Sequence, residues 1–176
     1  VEDIAASGGY MLACAADEIV ADRSSILGSI GVVSATFGLD KAISRLGIDR
    51  RVYTAGTRKV TLDPFQPENG EDVEHLKTLQ RDIHAFFIEL VKERRGARLT
   101  GGDELFSGLY WAGERSVSLG LADRISTAHD DLADRFGAKV DIRSFEPGRS
   151  GFLRRRLFGG GSGTAASLVD FDEVLA

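Results

Sequence analysis

Three observations predict an α/β fold with largely parallel strand pairing. Short apolar or β-branched runs alternate with helical patterns along the chain. One long stretch, 70–95, repeats apolar residues at three- and four-residue steps. A Ser7-Gly8-Gly9 turn opens directly into an apolar helix. With 176 residues the chain can bury one sizeable core, not comfortably two.

The elements follow in order. The apolar run 11–16 reads as a helix, with Ser7 where it begins, and Glu18-Ile19-Val20-Ala21 as a short strand between Asp17 and Asp22. Residues 31–37, β-branched and free of charge, read as a second strand, preceded by Gly28-Ser29 as a turn. Residues 39–46 read as a helix with Leu39, Ile43 and Leu46 on one face and Gly47 past its end. Arg51-Val52-Tyr53-Thr54 reads as a strand, and Gly56 starts a loop reaching Pro64 and Pro67. Residues 70–95 form the longest helix, striped by Val73, Leu76, Leu79, Ile83, Phe86, Phe87, Leu90 and Val91. Arg94 and Arg95 sit in its last turn, where the helix dipole favours cations, and Gly96 ends it. Further helices are expected over 113–119, capped by Gly120, and over 132–136, then a strand over 139–142. Residues 1–145 make up the folded domain. Residues 146–176, with Arg154-Arg155-Arg156 and a Gly159–163 run, read as a flexible basic tail suited to lipid, solvent or subunit contact.

Composition narrows the function classes. Hydrophobic residues at 43% and charged residues at 28% belong to a globular chain, and a net charge of −5 speaks against general nucleic-acid binding. The single cysteine, Cys14, has no disulfide partner within the chain and is expected as a small buried hydrophobe. The uncharged run 4–16 falls short of the roughly 20 residues a membrane helix needs. Val1-Glu2-Asp3 is no signal peptide, and the chain is expected to be the C-terminal part of a longer protein. No Cys/His cluster and no phosphate-binding glycine motif is present, so no metal or organic cofactor is expected.

Chemistry points first to Ser7. At a helix start, free backbone N–H groups and the positive dipole end favour negative charge, so an amide there can hold an oxyanion while the hydroxyl attacks a carbonyl. Two glycines after it leave room for a substrate backbone. The alternative is that Ser7 is simply an N-cap. A serine nucleophile needs a base. His75 and His84 lie among charged neighbours on the long helix and His129 beside Asp130 and Asp131; none belongs to an acid–base motif, and surface solvation accounts for all three. Lys41, Lys77, Lys92 and Lys139 have polar surroundings, whereas Lys59 follows a strand and a glycine and precedes Val60-Thr61-Leu62. A lysine serves as base only when burial favours its neutral form.

Ala5-Ala6-Ser7-Gly8-Gly9-Tyr10, residues 15–21, Gly28-Ser29-Ile30-Gly31-Val32 and Tyr53-Thr54-Ala55-Gly56-Thr57-Arg58-Lys59, with a fainter match over 109–123, carry a resemblance. Over about residues 1–127 the chain resembles the membrane-associated signal peptide peptidases of bacteria, the serine–lysine family often called protease IV. The resemblance implies the α/β spiral of stacked strand–helix units shared by the caseinolytic protease (ClpP) and crotonase families. It implies Ser7 as nucleophile, Lys59 as general base, Ser29 orienting Lys59 and the Gly8 N–H in the oxyanion hole, with a second donor from an upstream loop. Ile30, Val32 and Val33 would line a substrate groove. Remnant signal peptides or other membrane-proximal peptides would be the substrates, a homo-oligomeric ring the assembly, and the bacterial cell membrane the location, reached through an upstream anchor. The loop departs from the family pattern at Val60-Thr61-Leu62-Asp63-Pro64-Phe65, and Arg58 is expected in solvent or paired with Asp63. The rival readings are a crotonase-type acyl-CoA enzyme and an inactive scaffold of the same fold.

Overall fold

A computed structural model describes residues 1–143 of the chain. The expected tail, 146–176, and the expected boundary before it lie outside the described residues. The elements are β1 (Ile4–Ala6), α1 (Gly8–Ala13), β2 (Val20–Ala21), β3 (Ile26–Gly28), α2 (Asp40–Arg45), α3 (Gly70–Arg95), β4 (Tyr110–Ala112), α4 (Gly113–Ser118), β5 (Arg124–Ile125) and α5 (Ala128–Phe136). Two short 3-10 helices, Gly96–Arg98 and Gly102–Phe106, lead from α3 toward β4.

A parallel pair needs a crossover between its strands, and α1 with β2 supplies it between β1 and β3. β1 and β3 run parallel in the register Ile4↔Ile26, Ala5↔Leu27, Ala6↔Gly28. β4 adds antiparallel on the far side of β3, with Leu27 opposite Trp111 and Gly28 opposite Tyr110. A second small sheet pairs β2 with β5 in parallel, Val20↔Arg124 and Ala21↔Ile125. The core between them gathers Tyr10 and Cys14 of α1, Leu27 of β3, Phe87 and Val91 of α3, and Leu121, all essentially inaccessible to solvent. Cys14 is thus the buried hydrophobe its setting suggests, and burial pushes its thiol above the ordinary range.

One ion pair joins the pieces. The Arg95 guanidinium, 2% exposed, donates from Nη1 and Nη2 to the two oxygens of Asp123 at 2.8 and 3.0 Å, and from Nε to the Gly120 carbonyl at 2.8 Å. Asp123 also accepts the Ile19 N–H at 2.7 Å and returns its own N–H to the Ile19 carbonyl at 2.8 Å. The end of α3 and the approaches to β2 and β5 therefore meet at one carboxylate. Gly120 allows this closeness: its φ is +81°, and a β-carbon there would overlap the Arg98 carbonyl.

Several expected elements differ. α1 begins directly after Ser7 as expected, but takes in Gly8 and Gly9, and β3 was not expected. The expected strands over 31–37, 51–54 and 139–142 are absent. A strand exists only by pairing, and none of these runs pairs with β1–β5; across 32–69 no residue is fully buried. The α3 stripe is also only partly used. Phe87 and Val91 are buried, whereas Phe86 is 57% exposed and Leu79 and Ile83 are exposed on the same helix.

Removing Asp123 strands a buried cation, which costs about 3–5 kcal/mol. Asp123→Ala is therefore expected to lose that much in urea denaturation, and a loss under about 1 kcal/mol would refute the central role of the pair. Burial opposes the Asp123 carboxylate, but the Arg95 hydrogen bonds, the Ile19 N–H and the charges of Arg95 and Arg98 outweigh it and hold it below the ordinary range. Its contribution is complete above the unfolded value of about 3.9 and is lost as pH falls through the lower folded value. Stability should accordingly fall more steeply below about pH 4 in the wild type than in Asp123→Asn.

Candidate active site

In a parallel sheet, ligand sites form beyond the carboxyl ends of the strands. β1 and β3 end side by side, at Ala6 and Gly28, and the next residue on each is a serine. Ser7 has φ +51° and ψ −122°, and Ser29 has φ +52°. Such values are uncommon for a residue with a β-carbon, and holding one costs on the order of 1–3 kcal/mol. Backbone bonds enforce both bends: the Ser7 N–H donates to the Gly28 carbonyl at 2.9 Å, and the Ser29 N–H to the Leu109 carbonyl at 2.7 Å.

Ser7 occupies the N-cap position of α1 and is exposed, and its side chain makes no capping hydrogen bond. The Ser7 carbonyl instead accepts the Tyr10 and Met11 N–H groups, which starts α1 immediately after the hydroxyl. A methyl group at Gly8 or Gly9 would meet nothing within 4 Å, so the approach to Ser7 is open. Behind it α1 is held at both ends. The buried Tyr10 hydroxyl donates to the Leu121 carbonyl at 2.8 Å, with burial raising its phenol far above the ordinary range. Arg94 donates to the Cys14 carbonyl at 2.7 Å and the Ala15 carbonyl at 2.8 Å, just past the last turn.

The remaining expected site residues fall differently. Lys59 is exposed, in a turn where its N–H reaches the Gly56 carbonyl at 3.4 Å, and no hydrogen bond among the described residues joins its ammonium to Ser7. Arg58 pairs with Glu71 and lies 3.8 Å from Asp72 at the start of α3. Asp63, its expected partner, takes Arg50 at 3.2 Å instead. Of the three residues expected along a substrate groove, Ile30 is fully buried and cannot line one: it packs in the core directly after the Ser29 bend. Val32 and Val33 are exposed, at 36% and 86%. His75 and His129 are on the surface as expected, but His84 is not simply solvated: its Nε2 lies 2.9 Å from the Phe106 carbonyl and 3.2 Å from the Ile30 carbonyl.

The family described as Peptidase family S49 matches residues 1–142. The chain is 56% identical over 159 residues to a protein named Na(+)/H(+) antiporter NhaA in Brucella abortus, covering 90% of this chain but 22% of that protein. It is 31% identical over 139 residues to a probable protease SohB of Haemophilus influenzae, covering 79% of this chain and 39% of that one. A putative protease of Methanocaldococcus jannaschii is 33% identical over 132 residues, covering 75% and 42%. The chain thus spans about a fifth of the antiporter-named relative and about two fifths of the two proteases. Among the described residues no helix is long and apolar enough to cross a membrane.

The strain at Ser7 is measurable. Glycine adopts its backbone angles freely, whereas alanine keeps the strain. Ser7→Gly is expected to be more stable than Ser7→Ala by about 1 kcal/mol, read as a higher melting temperature. Equal stability of the two variants would show that the bend carries no strain.

Proposed function

This chain belongs to peptidase family S49, with its α/β fold of the ClpP and crotonase type, and from that premise we propose that it hydrolyses peptide bonds through a Ser7–Lys59 dyad. Ser7 Oγ attacks the scissile carbonyl while the neutral Lys59 amine takes its proton. The Gly8 N–H stabilises the oxyanion, and the tetrahedral intermediate collapses to an acyl-enzyme as Lys59 returns the proton to the departing amine. Water then attacks the ester, again with Lys59 as base. Ser29 orients the Lys59 amine, as the third member of a triad orients its base.

The observation that carries this reading is the pair of strained serines on adjacent parallel strands, one with its hydroxyl free and an open glycine approach beside it. Val32 and Val33 offer an exposed apolar margin next to Ser29, suited to an extended peptide. Remnant signal peptides and other membrane-proximal peptides, cleaved at the bacterial cell membrane, are the substrates proposed on family grounds.

Lys59 requires a drier setting than its turn provides in a single chain. The segment 32–69 exposes Val33, Phe37, Leu46 and Tyr53, the last at 91%. Coverage of this surface and of the bare α3 stripe by identical subunits in a closed ring would desolvate Lys59 and restrict access to extended chains.

In the intact protein, Ser7→Ala and Lys59→Ala should each lose several orders of magnitude in peptide hydrolysis while still folding, because nucleophile and base act as a unit. A serine-directed phosphonate should label Ser7. Near-normal turnover by Lys59→Ala, with the loss appearing in His75→Ala instead, would overturn the dyad. Separately, light scattering on the intact protein should give a mass several times that of one subunit, reduced by Phe86→Glu. A monomer that cleaves peptides at full rate would refute the ring.

A further inference from the structure

His84 is the half-buried imidazole that the proposed mechanism leaves unused. Its Nε2 faces two groups, the carbonyls of Ile30 and Phe106, at 3.2 and 2.9 Å. Both are acceptors only, so Nε2 must carry the proton, which it shares between them. The contact spans three separate elements: α3, the residue after the Ser29 bend, and the 3-10 helix Gly102–Phe106.

Its place in the chain gives it a role. β3 ends at Gly28, and Ser29 is held from one side by its N–H bond to Leu109 at 2.7 Å. Ile30 is buried, but beyond it the chain leaves the core, with Val32 to Phe37 exposed and in no regular structure. The His84 hydrogen bond to the Ile30 carbonyl is therefore the last side-chain tether before the chain departs. It restrains the Ile30–Gly31 peptide, one residue beyond Ser29, whose φ of +52° needs its surroundings to hold it.

We propose that His84 is a positioning residue for Ser29: by holding the Ile30 carbonyl against α3 it keeps the Ser29 hydroxyl aimed at the lysine base. This rests on the Ser7–Lys59 reading above. Displacing a catalytic geometry by about 1 Å costs on the order of 100-fold in rate. In the intact protein, His84→Leu removes the donor, and His84→Gln keeps an N–H donor at similar reach.

The experiment is a double-mutant cycle in peptide hydrolysis, with thermal melts of every variant. His84→Leu is expected to lower kcat about 10- to 100-fold with KM nearly unchanged, His84→Gln to recover most of the loss, and His84→Leu to cost little further in a Ser29→Ala background. Full kcat in His84→Leu, no recovery in a folded His84→Gln, or an equal cost with and without Ser29 would each overturn the proposal. Should His84→Leu fail to fold, nitrogen NMR of the wild-type imidazole decides: a slowly exchanging proton on Nε2 is expected, and a freely exchanging one overturns it. Loss of activity in Ser7→Ala alongside an unaffected His84→Leu would sink this inference alone, whereas an active Ser7→Ala would sink the peptidase reading itself.

Discussion

The Arg95–Asp123 pair is the joint on which the rest of the described fold turns. Burying a guanidinium is expensive, and its attraction to a carboxylate repays the cost only when the remaining donors are also satisfied. Here they are: Gly120 takes Nε, Asp123 takes both terminal nitrogens, and the Ile19 N–H completes the carboxylate. That arrangement ties the end of α3 to the approaches of the small β2–β5 sheet. Arg94, one residue earlier, then reaches the carbonyls at the end of α1. The position of the open serine at the other end of α1 is thus inherited from a charge pair at the far end of α3.

A second economy appears in the way the two serines are presented. A strand that simply continued past Ala6 or Gly28 would place its next side chain on one face of the sheet. Positive φ at Ser7 and Ser29 ends each strand there instead. The bends are stabilised by backbone donors: the Ser7 N–H bonds the residue before Ser29, and the Ser29 N–H bonds Leu109, just before β4.

What the sequence disclosed follows from which forces are local. α3 is bounded at Gly70 and Arg95 as its apolar period and terminal cations imply, and Ser7 stands where a helix begins, as expected, with Gly8 and Gly9 inside the helix. Local periodicity and capping are written in neighbouring residues. Strand pairing is not: residues 31–37 have the composition of a strand and lack a partner, while the plain Ile26-Leu27-Gly28 lies between two others and becomes the centre of a sheet. The same limit hid His84 and Arg94. Their roles depend on carbonyls 54 and 80 residues away, and no spacing rule connects them. Ile30 was misplaced for a related reason, since an apolar residue after a site serine serves groove and core equally well until burial is known.

The pairing of Gly28 with Tyr110 has one more consequence. Gly28 lacks a side chain where Trp111 leans in: a β-carbon there would lie 2.9 Å from the Trp111 ring. Trp111 is the only tryptophan of the chain, and its indole rests on the residue directly before Ser29. The molecule therefore carries a native fluorophore at the rim of its own site. Its emission would give a label-free optical readout of changes at the ends of β1 and β3.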